Sequence, residues 1–108
     1  MEKRIIVDKR ARRELGKFPR SVQVKFRALF RVLETTGTIE EPFGKKLAGQ
    51  TGMFELRVKF QGQWRALYTY MRKEYIVVLS AFNKKTQKTP QKEVVKARNR
   101  LVEYKEVL

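Results

Sequence analysis

Four basic residues on three successive β-patterned segments carry the chemistry in this sequence. In MFELRVKF (53–60) Arg57 and Lys59 share a face with Glu55, opposite Phe54, Leu56, Val58 and Phe60, because side chains alternate along a strand. WRALYTYM (64–71) adds Arg65, and YIVVLSAFNKK (75–85) runs out into Lys84 and Lys85. A guanidinium stays charged and its planar fork fits phosphate, whereas an ammonium crowded by other cations loses part of its proton affinity and can accept a proton. Any one of these side chains is explained by solvation of a sheet face. The group is not, since like charges on neighbouring strands are destabilising and interspersed signs would serve solubility better. Arg57, Arg65, Lys84 and Lys85 are therefore the candidate catalytic group. The two lysines are adjacent and alternate, so one points in, and the pattern does not say which.

Glu55 is the one acid in that row. Its expected role is an ion pair with Arg57 or Arg65 that fixes a guanidinium's direction, in preference to service as a general base. Lys59, Lys88 and the loop residues Lys45 and Lys46 extend the positive surface as polyanion contacts. Trp64, Tyr68 and Tyr70 have the opposite parity to Arg65. Trp64 is assigned to the core, while Tyr68 and Tyr70 can be core or can stack bases at an exposed sheet edge, and Tyr68 is kept among the binding candidates. The chain has no histidine and no cysteine, which removes the commonest general acid/base and all thiolate metal sites. No metal or cofactor is expected.

The elements that must position these residues follow from periodicity and punctuation. Arg4 to Val7 reads as a short strand, and Asp8 caps a helix through ARREL that stops near Gly16. Pro19 opens a second helix in which Val22, Phe26, Leu29, Phe30 and Leu33 form a stripe, with Gly37 as its stop. TIEEPFGKKLAGQTG (38–52) has no clear period and reads as a loop. Three strands then form an antiparallel meander, turned at QGQ and at Lys73-Glu74. Thr89 is expected to cap, and Pro90 to open, a last helix with Val94, Ala97, Leu101, Tyr104 and Leu108 on one stripe. The expected fold is α+β, in the order β-α-α-β-β-β-α: a small twisted antiparallel sheet packed on one face by helices, its other face free for a ligand.

Lys and Arg total 26 against 11 Asp and Glu, a net charge of +15 on 108 residues, which implies a polyanionic partner or an acidic protein. The length suits one domain, residues 1–108. No apolar run reaches the roughly 18 residues of a membrane span, and no h-region follows the N-terminal charges, so an unexported, cytoplasmic protein is expected.

KKLAGQTGMFELRV, WRALYTY, IVVLSAFNKKTQKTPQKE and the following ARNRL, at these separations, resemble the RelE/ParE superfamily of toxins, in its phage-derived HigB-like branch, and the element order agrees with the RelE-like fold. The resemblance covers most of residues 45 to 101. It implies the toxin of a type II toxin–antitoxin pair, a ribosome-dependent mRNA endoribonuclease that inhibits translation and growth. Its implied partners are mRNA, the ribosome's RNA and a helix-turn-helix, HigA-like antitoxin in a hetero-oligomeric complex, with no membrane. Arg57 and Lys59 are similar in position to the basic pair of the RelE second strand, Arg65 to its phosphate-stabilising arginine, and Lys84 or Lys85 to a further basic residue after the last core strand. RelE's C-terminal tyrosine has no evident counterpart, since Tyr104 lies too far along, and the histidines of some HigB relatives are absent.

Metal-free RNA cleavage proceeds by attack of a 2′-OH on the adjacent phosphate. It needs a base for that hydroxyl, a stabiliser for the phosphorane-like transition state and an acid for the 5′-oxygen. Two other readings share the basic composition: a ParE-like toxin that inhibits gyrase through a protein contact, and a non-catalytic nucleic-acid-binding module. Lys9, Arg10, Arg12, Arg13, Lys17, Arg20, Lys25 and Arg27, on the first two helices, are further candidates for rRNA phosphates.

Overall fold

The computed structural model describes residues 2–108. Its elements are β1 (Arg4–Val7), α1 (Lys9–Gly16), α2 (Arg20–Thr36), β2 (Gly44–Lys46), β3 (Met53–Lys59), β4 (Gln63–Met71), β5 (Tyr75–Lys84) and α3 (Gln91–Val107). Local signals account for most boundaries. The Asp8 side chain accepts from the amides of Arg10 and Ala11, which caps α1, and Gly37 ends α2 at φ 85°, a conformation that suits glycine. Thr89 does not cap α3. Pro90 is the N-cap residue, without a side-chain bond, and the threonine hydroxyl is used elsewhere.

The five strands form one sheet in the order β1-β5-β4-β3-β2. The β3-β4-β5 meander is antiparallel as expected, but β1 pairs with β5 in parallel, so the sheet is mixed. The segment read as a loop contains β2, which pairs antiparallel with β3 through Gly44↔Leu56, Lys45↔Glu55 and Lys46↔Phe54. Gly44 permits this, because a Cβ there would stand 2.9 Å from the Ile39 carbonyl oxygen.

Helices cover both faces of the sheet rather than one. α1 and α2 lay Ala11, Val22, Phe26 and Leu33 against Leu56, Val58, Ala66, Tyr68 and Val78. On the other face α3 lays Val94, Ala97 and Leu101, joined by Tyr104 and Leu108, against Met53, Leu67, Val77 and Leu79. The α3 stripe is the one the sequence shows, yet it needs its own apolar surface. β5 supplies that surface by being apolar on both faces, as strands between two layers are. Full burial of each such side chain is worth about 1.5–3 kcal/mol.

Polar contacts also tie α3 to the rest. Arg100 donates to both carboxylate oxygens of Glu14 at 2.9 Å and to the Leu79 carbonyl at 2.8 Å, joining α1, β5 and α3. At the far end Tyr104 donates to Asp8 at 2.9 Å. Burial would raise the Asp8 carboxyl, but the Arg10 guanidinium, the Tyr104 hydroxyl and two backbone amides hold it well below the usual carboxylate range.

Candidate functional site

α3 covers only part of its face. Register divides that face into rows: Met53 and Thr69 with Val77, then Lys45, Glu55 and Leu67, then Arg57, Arg65 and Phe82, then Lys59, Gln63 and Lys84. The apolar residues of the inner rows, together with Phe82, lie under α3. The two outer rows hold Arg57, Arg65, Lys59 and Lys84.

A bulge in β5 puts Lys84 there. Leu67 pairs with Ser80 but Tyr68 pairs with Val78, so Leu79 is an extra residue. Without it, alternation from Val78 would send Phe82 and Lys84 to the α1/α2 face; with it, both turn to the open side. Both lysines line a 310 Å³ cavity with Gln63, Arg65, Thr86 and Gln87, but Lys84 is partly buried and also lines the cavity that holds Glu55 and Arg57, whereas Lys85 is exposed beyond the strand end. Lys84 is thus the inward-pointing member of the pair.

Glu55 organises the centre. Its carboxylate is 2% exposed, accepts from Arg57 Nε at 3.1 Å and from Thr89 Oγ1 at 3.0 Å, and lies 3.6 Å from Arg65 Nε. Arg57 and Arg65 stand directly opposite each other, a repulsive arrangement that the shared carboxylate offsets. Arg65 is 5% exposed, and Nη1 donates to the Trp64 carbonyl at 3.1 Å while Nη2 donates to Gln63 Oε1 at 2.8 Å. Its buried Nε has no hydrogen-bond partner among the described residues. Burial lowers the proton affinity of Arg65, Glu55 opposes this, and Arg57 adds to it. The guanidinium nevertheless remains charged at any working pH.

Lys84 is the tunable group. Burial first, then the charges of Arg65, Arg57 and Lys45, hold its ammonium below the ordinary lysine value against the pull of Glu55. The arrangement can therefore bind a phosphate on the part-exposed Arg57 guanidinium and the edge of Arg65 that lines the 330 Å³ and 310 Å³ cavities, beside an amine that gives up its proton more readily than a free lysine.

The remaining candidates divide by register. Lys45 and Lys88 join Glu55, Arg57, Lys84, Gln87 and Thr89 around a cavity of about 440 Å³. Lys59 is exposed on the outer row and lines a second cavity of about 330 Å³ with Pro42, Phe43, Arg57, Gln63 and Arg65. Lys46 pairs with Phe54 and so points to the opposite side of the sheet, away from the group. Tyr68 is a correction: it is 1% exposed, stacked on Phe54 at 5.5 Å in the α1/α2 core, and presents no face to a nucleotide. Tyr70 is in the same core and donates to the Gly37 carbonyl at 2.7 Å, and Trp64 packs against Phe18. Arg10 is committed to Asp8 and Glu103, while Arg12, Arg13, Lys17, Arg20, Lys25 and Arg27 are exposed on the helices behind the sheet.

Two further side chains join the site. Its place before Pro90 marks Thr89 only as a helix cap, and the tertiary structure alone brings it to Glu55. Gln63 was legible, since it lies two residues before Arg65 and shares its face.

The arrangement has relatives. A double arginine-to-alanine mutant of the Escherichia coli toxin RelE, in the free state, superposes with a TM-score of 0.72 at 18% identity, covering 93% of this chain and 98% of that one. RelE-RelB from Pyrococcus horikoshii OT3 gives 0.61 at 22% identity over 79% of this chain and 98% of its match. The Mycobacterium tuberculosis toxin–antitoxin complex RelBE2 gives 0.60 at 22% identity over 78% and 100%. The fold is that of the RelE proteins. Residues 13–102 match the family described as phage derived protein Gp49-like (DUF891), and the chain belongs to that family. No curated protein sequence matches it.

Proposed function

We propose that this protein, acting as one domain over residues 1–108, is the toxin of a type II toxin–antitoxin pair and cuts mRNA on the ribosome. The observation that carries the reading is the Arg57–Arg65 pair, set opposite one another around buried Glu55 with Lys84 beside them, on the part of the sheet that α3 leaves open. The RelE-like fold and the toxin–antitoxin complexes among its structural relatives support the same reading.

In this mechanism the two guanidinium groups hold the scissile phosphate and stabilise the charge that develops on its oxygens. The neutral fraction of Lys84 takes the proton of the 2′-OH, which attacks the adjacent phosphorus. The bond to the 5′-oxygen breaks, leaving a 2′,3′-cyclic phosphate and a 5′-hydroxyl. Lys59 stands across Gln63 from Lys84, in the same register row, and supplies the proton to the departing oxygen. Glu55 and Thr89 position the arginines, and Lys85, Lys45 and Lys88 hold flanking phosphates. No group here is a strong base at neutral pH, so the ribosome contributes by orienting the mRNA, and free RNA is cut slowly. The exposed cations of α1 and α2 hold rRNA. The protein works in the cytoplasm, and a helix-turn-helix, HigA-like antitoxin silences it in a hetero-oligomeric complex. Among the described residues no helix is long and apolar enough to cross a membrane.

Induced expression tests the reading. Growth should stop with the wild-type chain and continue with Arg65→Ala, and RNA ends from arrested cells should carry the 2′,3′-cyclic phosphate. Arrest without new RNA ends, accompanied by loss of DNA supercoiling, would refute it.

A further inference from the structure

Phe43 is 56% exposed although it stands beside the cation rows. Arg57 donates its backbone amide to the Phe43 carbonyl at 2.8 Å, which continues the β2–β3 register one residue past Gly44↔Leu56 and sets Phe43 opposite Arg57. Cross-strand partners share a face, so the ring lies on the open side, in line with Arg57 and Arg65 at the strand spacing of about 4.8 Å. It forms one wall of the 330 Å³ cavity whose other walls include Arg57, Lys59, Gln63 and Arg65. Among the described residues no aromatic ring or cation stacks on it, in contrast to Tyr68, Tyr70 and Phe60. Its backbone is held at both ends, by the bond from Arg57 and by its own amide to the Glu40 carbonyl at 3.1 Å.

A lone exposed apolar side chain is ordinary. One fixed beside a phosphate-binding group is not, because a strand of nucleic acid laid across Arg57 and Arg65 must put a neighbouring base somewhere within reach of the next residue. An aromatic face accepts any base, and cations with interleaved aromatic rings are how proteins hold single strands. We infer that Phe43 is a stacking platform for a base of single-stranded RNA flanking the phosphate held by Arg57 and Arg65. The inference rests on the RNA-binding part of the reading above and extends it to a base-binding subsite at the β2 edge.

The test is binding in the absence of ribosomes, where cleavage is slow. Short single-stranded RNAs carrying 2-aminopurine at successive positions are titrated with the wild-type chain, Phe43→Ala and Phe43→Tyr, at two salt concentrations, each variant's fold being checked by its melting curve. Stacking quenches 2-aminopurine. The wild-type chain and Phe43→Tyr should quench one position strongly, and Phe43→Ala should lose that quench and bind about 5- to 150-fold more weakly with the salt slope unchanged. Equal quenching and affinity in Phe43→Ala would overturn the inference while leaving salt-dependent RNA binding in place. No salt-dependent binding by any variant would overturn both the inference and the RNA reading. Unchanged RNA binding with weakened antitoxin binding would assign the ring to a protein contact and overturn it.

Discussion

Replacing Glu55 by Gln removes the charge on which the paired arginines depend while keeping the side chain's volume. The carboxylate is 2% exposed, Arg65 is 5% exposed, and the Arg57 side chain retains 26% exposure. Arg57 can recover hydration, so most of the cost falls on Arg65, left as a buried cation without a counter-ion. Breaking a buried pair from one side costs about 3–5 kcal/mol. The bonds from Arg65 to Gln63 and Trp64 survive, which places the expected loss near the lower limit, about 3 kcal/mol. In urea that is a midpoint shift of roughly 1–3 M at an unchanged slope. Arg65→Met alone should cost less, about 1–2 kcal/mol, since Glu55 keeps Arg57 and Thr89 as partners. The double variant should be more stable than Glu55→Gln alone, because the stranded cation has gone. A double-mutant cycle that closes additively, to within about 0.5 kcal/mol, would show that Glu55 and Arg65 are not coupled and would refute this reasoning.

Other outcomes follow from the same geometry. The ribosomal cleavage rate should rise with pH as Lys84 loses its proton and level off below the ordinary lysine value of about 10.4; Glu55→Gln removes the charge that pulls Lys84 upward, so in single-turnover assays its plateau should come at lower pH, and a plateau moved upward would contradict the assignment. Lys84→Gln should slow cleavage by about 100-fold or more while Lys85→Gln has a much smaller effect, as measured on the same programmed ribosomes. The Asp8 carboxyl is depressed in the folded protein, so its stabilisation is present above the unfolded value of about 3.9 and lost as pH falls below it; Asp8→Asn should cost about 2 kcal/mol at pH 7 and flatten the acid limb of the stability curve in urea titrations. Tyr68→Ala should destabilise by about 3–5 kcal/mol, as loss of a core aromatic does, and leave the RNA affinity of the folded fraction intact; selective loss of RNA affinity would return Tyr68 to the site.

Particular residues show what the sequence could and could not reveal. The alternation in MFELRVKF put Glu55, Arg57 and Lys59 on one face because one apolar face of β3 is buried, which ties register to pattern. The choice between Lys84 and Lys85 was not legible, since it depends on an extra residue at Leu79 that leaves no mark on a continuous apolar run. That run, IVVLSAF, did carry a signal for helices on both faces, because a strand covered on one face alternates. β2 was hidden by its length: three residues, one of them glycine, have no period, and the pairing exists only because β3 offers its edge. Tyr68 remained ambiguous in the sequence since a phenol suits a core and a base equally; its neighbours Phe54 and Tyr70 settle it as core. The role of Thr89 depends on a contact 34 residues away in the chain, which local capping rules cannot anticipate.

The proposed activity is cleavage of ribosome-bound mRNA at the Arg57–Arg65 face. Primer extension on a reporter mRNA in a reconstituted translation reaction tests it most directly, with the wild-type chain and Arg65→Ala each assayed with and without ribosomes. Discrete cuts that require ribosomes and fall on the order of 100-fold in Arg65→Ala are the expected result. Intact mRNA in every lane, or identical cutting by Arg65→Ala, would contradict it.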